Sequence, residues 1–191
     1  EPVVAIFLQG AAAAASPNAD TLGHAGSQAM ERVGALLADE AMALYEAIET
    51  DDAIDLQVAI RREPIDARRL GYPPGAFPED GALLCHLLDS TCGAGPRDPA
   101  ALDCLGRVEP GGGKYETWIG AARVGDLAIL ALPGEPSAAM GRRLAEAAAA
   151  HGFAHAIPLG YSLDHDGYLL LADDWLSGGS ETNITFWGWR Y

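Results

Sequence analysis

The sequence predicts a layered α/β domain with a mixed β-sheet flanked by helices, and three observations lead there. Apolar runs of strand length alternate with segments whose apolar residues recur at helical spacing. Two strands are joined through Val124-Gly125-Asp126, so a hairpin lies among the crossovers and a purely parallel sheet is ruled out. The chain has 191 residues and is 49% hydrophobic, enough for one sizeable core.

The elements follow in order. Val3–Leu8 is an apolar run and reads as a buried strand. It leads into Gly10, the alanines 11–15 and the turn-forming Ser16-Pro17-Asn18. A helix is expected from Ser27, with Met30, Val33, Leu37, Leu44 and Ile48 on one face; Ser27 is the expected cap and Glu31 sits in the first turn. Ile54–Arg62 alternates and reads as a second strand. Residues 66–113 form a long Pro/Gly-rich excursion, with a short helix expected at Gly81–Leu88. The hairpin strands are Tyr115–Ala122 and Leu127–Leu132. An alanine-rich helix, Ser137–Ala150, ends at His151-Gly152. A further strand is expected within Ala154–Ser162, and the aromatic tail reads as irregular.

The formal net charge of −15 argues against nucleic acid or an anionic membrane surface as a partner. No apolar stretch reaches the roughly 18 residues of a bilayer span. Glu1-Pro2 precedes the first strand with no basic n-region, so the chain is expected to begin inside a longer or processed product. The expected location is extracellular, periplasmic or cell-surface. Cys85, Cys92 and Cys104 share one segment and read either as buried thiols or as one disulfide plus a free thiol. A zinc site there with His86 lacks the C-x-x-C pair such sites use.

Three strands end in loops that carry unusual polar residues, the usual place for ligands in an open α/β sheet. The first leads to Ser16 and Asn18, Leu127–Leu132 leads to Glu135, and the last leads to Asp164–Tyr168. Glu135, between a strand-ending Pro133-Gly134 and a helix start, is either a first-turn carboxylate complementing the helix dipole or a metal-binding or general-base group. Asp164–Asp166 with Gly167 is either a solvated turn or, more remotely, a calcium loop whose other ligand positions are unfilled. Ser16 lacks a G-x-S-x-G elbow, and Asn183-Ile184-Thr185 is a glycosylation sequon.

Taken in order, "FLQG…SPN", "LPGE…MGRRL", "GYS…GY…ADDW" and "SETNITFWGW" resemble the neutral/alkaline ceramidase family, zinc-dependent amidases that cleave the N-acyl bond of ceramide. The resemblance touches nearly the whole chain except the excursion. It implies that residues 1–191 are the C-terminal portion of a ceramidase-like catalytic domain. It also implies that Glu135 and Tyr168 are zinc ligands, that Ser16 is catalytic through hydrogen bonding near the oxyanion, and that Asn18 binds substrate. The family's zinc histidines lie upstream of the first strand, so an upstream N-terminal portion is the implied partner and a lipid amide the implied substrate. Ala13-Ala14 replace the family's Gly-Asp, which favours the rival reading of a non-catalytic binding or structural subunit.

Overall fold

The computed structural model describes residues 5–13, 15, 23, 26–50, 53–65, 70, 81–83, 108–110, 115–183, 185 and 188–190. The chain divides into two compact units, residues 15–54 and residues 1–14 with 55–191.

The smaller unit carries helix α1 (Ser27–Ala47). Its apolar stripe is where the 3.6-residue period puts it, with Met30, Leu37 and Leu44 all exposed. The start differs from expectation. Gly26 is the N-cap at φ 59°, Ser27 is the first helical residue, and no side chain caps the helix. Glycine reaches a positive φ at no steric cost, and with Ser27 already helical its hydroxyl is no longer at the capping position.

In chain order the larger unit comprises β1 (Leu56–Ile65), β2 (Gly81–Leu83), β3 (Val108–Pro110), β4 (Tyr115–Val124), β5 (Leu127–Ala131), β6 (Glu135–Pro136), α2 (Ala138–Ala150), β7 (His155–Leu159), β8 (Tyr168–Leu169), α3 (Ala172–Ser177), α4 (Ser180–Asn183) and a 3₁₀ turn, Gly188–Arg190. The main sheet has the order β1-β4-β5-β7. β1 and β4 run antiparallel with Leu56 opposite Val124, and β4 and β5 form the hairpin. Gly125 takes φ 61° at the turn, where a side chain would be strained. β7 then pairs parallel to β5, Leu127 opposite His155, after the crossover through α2. The sheet is therefore mixed and the domain α/β, as the interleaved pattern predicts.

Helix α2 begins where Ser137 predicts it. The Ser137 hydroxyl accepts the Met140 N–H at 3.1 Å, satisfying one of the helix's orphan donors. The same hydroxyl donates to the Asp174 carboxylate, whose oxygen also accepts the Leu171 N–H at 3.2 Å and so fixes the entry to α3. Small residues on α2, Gly141 and Ala148, are the buried ones, which lets the helix lie close to its neighbours. At the other end Gly152, at φ 88°, donates to Ala149 and closes the last turn.

Three expectations are corrected. Val3–Leu8 is not a strand over its described part, residues 5–8: Ile6 and Phe7 are 80% and 78% exposed. An apolar run becomes a strand only by joining a ladder. Just beyond the segment, the Gln9 carbonyl accepts the N–H of Gly160, the residue after β7, at 2.9 Å. The expected Gly81–Leu88 helix begins instead as β2, because Gly81–Leu83 pairs antiparallel with Val108–Pro110 and this long-range ladder overrides a weak local propensity. The tail is not irregular throughout. It forms α3, α4 and the 3₁₀ turn around Trp175, which is 1% exposed with its ring 4.5 Å from that of Trp189. Cys85, Cys92, Cys104 and His86 lie outside the described residues.

Candidate functional site

The site is built where β5 ends. The chain turns at Pro133-Gly134 and re-forms as β6, which pairs parallel with β8 so that Glu135 lies in register with Tyr168. Partners in register present their side chains to the same face of the sheet. The two residues that the motif order selects are thus neighbours, although 32 residues separate them in the chain.

Main-chain bonds hold this pair. The loop from Gly160 to Gly167 is strapped onto the Leu132–Glu135 turn at successive points. Tyr161 N–H donates to Gly134 at 2.8 Å, Ser162 to Leu132 at 3.0 Å and Asp166 to Pro133 at 2.6 Å, while Glu135 N–H donates back to Gly167 at 2.8 Å. Gly134 is required here, because a Cβ would run into the Gly167 carbonyl oxygen. The loop also contains the described positive-φ residues other than glycine, Tyr161 at 53° and Leu163 at 72°. Such conformations cost roughly 1–3 kcal/mol each and persist only where the surroundings over-determine them, as this strap does. Beyond β8, the buried Thr185 hydroxyl donates to the Tyr168 carbonyl at 2.9 Å.

The alanine tract enters the same structure. Ala13 N–H donates to the Pro136 carbonyl at 3.1 Å and Ala13 forms a parallel bridge to Ser137. Ala13 is fully buried, and Ala11 sits so near α2 that a Cβ on Gly141 would come within 2.9 Å of its methyl. Ala11 and Ala13 are packing, and their small side chains are what the space admits. Ala13 is also not among the positive-φ residues, so the loss of glycine at that position brings no backbone strain.

The electrostatics centre on Glu135. Hydrogen bonding toward its carboxylate favours the neutral Tyr161 phenol and, with partial desolvation and the repulsion between two negative charges, pushes that phenol up to about 12. Tyr168 is also raised, first by burial and then by the charges of Glu135 and Glu181. Sequence reasoning missed Tyr161. Its signal was present in Gly160-Tyr161, directly after a strand, but a tyrosine there is indistinguishable from an ordinary surface residue until the loop is folded back. The Tyr161 ring lies 5.2 Å from that of His165. Asp164 is engaged within the loop, accepting the Thr117 hydroxyl at 3.4 Å and the His165 N–H at 2.9 Å.

Among the described residues no cation pairs with Glu135, and no group of three or more His, Cys, Asp or Glu side chains comes together. A carboxylate without a counter-charge beside a phenol fits two hard oxygen donors to a divalent metal. Two donors are fewer than the three protein ligands of a catalytic zinc site. Ser16 and Asn18 lie outside the described residues.

The Glu135–Tyr161 contact has a checkable consequence. The folded protein favours the neutral phenol, so this stabilisation is present below the ordinary tyrosine value of 10.0 and is lost as pH rises through about 12. Tyrosinate absorbance during an alkaline titration should show late-titrating phenols, with one fewer in Tyr161→Phe. Glu135→Gln should bring Tyr161 back toward the ordinary value.

No protein-family model matches the sequence, and no curated protein matches it. Among solved structures the chain is similar to a ceramidase complexed with C2, at 17% identity and TM-score 0.47, over 70% of this chain and 27% of that one. It is also similar to neutral ceramidase from Pseudomonas aeruginosa, at 18% identity and TM-score 0.46, over 69% and 25% of the two chains. The chain spans about a quarter of the length of these structures.

Proposed function

We propose that this chain is the C-terminal part of a ceramidase-like zinc-dependent amidohydrolase acting on the N-acyl bond of ceramide or a related lipid amide. The observation that supports the reading is the register pairing of Glu135 with Tyr168. The motif order selects these two residues as donors with no knowledge of the fold, and the fold sets them side by side. An upstream portion, on the same or a separate chain, supplies the histidine ligands, at an extracellular, periplasmic or cell-surface location.

In this reading Glu135 and Tyr168 would be two of the residues that hold the metal. When bound, zinc supplies Lewis-acid polarisation of the scissile carbonyl and lowers the pKa of water. Tyr161 keeps its proton and orients the Glu135 carboxylate through their hydrogen bond. Water adds across the amide, the C–N bond breaks, and a carboxylate and an amine leave. Ser16 assists by donating to the carbonyl oxygen as negative charge develops there, and Asn18 contacts substrate; both roles rest on the sequence resemblance alone.

The test is co-expression with the sequence encoded immediately upstream of Glu1. Stoichiometric zinc, measured by elemental analysis, and hydrolysis of an N-acyl sphingoid base are expected, both lost in Glu135→Ala. Zinc content unchanged by that substitution would overturn the assignment. Zinc retained without hydrolysis would favour the non-catalytic subunit.

A further inference from the structure

A second feature of the larger unit is a cavity of about 590 Å³ between α2 and the β1–β4 part of the sheet. Its size is within the roughly 300–1,000 Å³ range of small-molecule sites, and its walls have the mostly apolar character of such sites. Ile65, Ile119, Met140, Leu144, Leu169 and Leu171 are among its apolar walls. None of Glu135, Tyr161 and Tyr168 lines it. Its charged lining residues are Glu63 and Arg143, and they differ in one respect. Glu63 is held by Arg61 at 2.7 Å, whereas Arg143, on the exposed side of α2, has no acidic partner among the described residues. The nearby Thr117 hydroxyl, which also lines the cavity, is turned to Asp164.

An apolar cavity with one unpaired guanidinium at its rim has a specific complement: an apolar tail ending in a single anionic group. Arginine's planar fork matches a carboxylate with two parallel N–H donors. We propose that this cavity binds a single-chain amphiphile with a carboxylate headgroup, the tail among Ile65, Ile119, Leu144 and Leu169 and the headgroup on Arg143. The site is independent of the metal reading above and stands or falls without it.

The chain's own charge makes the test discriminating. A protein of net charge −15 adsorbs cationic amphiphiles non-specifically and repels anionic ones, so preference for the anion has to come from a local site. Isothermal titration calorimetry of the 191-residue chain with dodecanoate, dodecanol and dodecylamine, all below micelle formation, reads this directly. One-to-one binding of dodecanoate is expected, tighter than that of either other probe. Arg143→Gln should weaken it about tenfold and leave dodecanol unchanged. Ala147→Phe, which places a ring into the cavity from α2, should abolish it, with circular dichroism reporting that both variants fold. Absence of dodecanoate binding, equal or tighter binding of dodecylamine, or an Arg143→Gln variant that binds as well as the parent would each overturn the proposal.

Discussion

Gly134→Ala is expected to lower the unfolding free energy by about 1–3 kcal/mol, the usual cost of forcing a methyl group into filled space. The cost is concentrated because the obstacle is main chain. The added Cβ runs into the Gly167 carbonyl oxygen, and 3.0 Å away stands the Leu169 side chain. The carbonyl cannot give way without straining the Glu135–Gly167 hydrogen bond, and with it the register of β6 on β8. The variant should therefore lose more than stability. Tyr161 should titrate closer to an ordinary phenol. Gly10→Ala is the matched control, since its Cβ would meet only the Pro158 carbonyl at 3.8 Å and should change stability by less than about 0.5 kcal/mol. Urea unfolding of the two variants side by side decides the matter, and equal midpoints would show that the turn can relax.

The second large effect lies in the tail. Trp175→Ala should cost about 3–5 kcal/mol, the range for truncating a buried aromatic to alanine. Trp175 is 1% exposed, and its ring packs at 4.5 Å against that of Trp189, so the truncation leaves a cavity and removes an aromatic pair together. The denaturant midpoint should fall with the slope of the transition unchanged. A double-mutant cycle with Trp189→Ala should return a coupling of about 0.5–1.5 kcal/mol for the ring pair. Additivity of the two substitutions would mean that the rings pack independently.

How far the sequence revealed this fold depends on how local each signal was. The hairpin was legible because Gly125 marks its own turn, and α2 because Ser137 and Gly152 mark its ends. Strand pairing at a distance was not legible. Nothing within Val3–Leu8 says that its described part meets no ladder, and nothing within Gly81–Leu83 says that Val108–Pro110 is waiting for it. For the candidate site the same division holds. Glu135 and Tyr168 were singled out through motif order, and the structure makes them neighbours in register. Tyr161 could not be found, because its approach to Glu135 depends on a left-handed backbone conformation that a tyrosine seldom adopts. The alanine tract was read in terms of what it lacked relative to a family pattern, whereas the burial of Ala13 and the closeness of Ala11 to α2 give these two residues a packing role of their own.

The strap between the Gly160–Gly167 loop and the Leu132–Glu135 turn has a consequence for engineering. All four of its bonds run between backbone atoms, so they depend on loop length and path far more than on which side chains the loop displays. Ser162, Leu163 and His165 all lie within this strapped segment and are at least partly exposed. A library randomised at those three positions, with Gly160, Tyr161 and Gly167 kept, would vary the rim of the site while the scaffold beneath stayed fixed. New specificities could then be selected at this edge of the protein without redesigning its foundation.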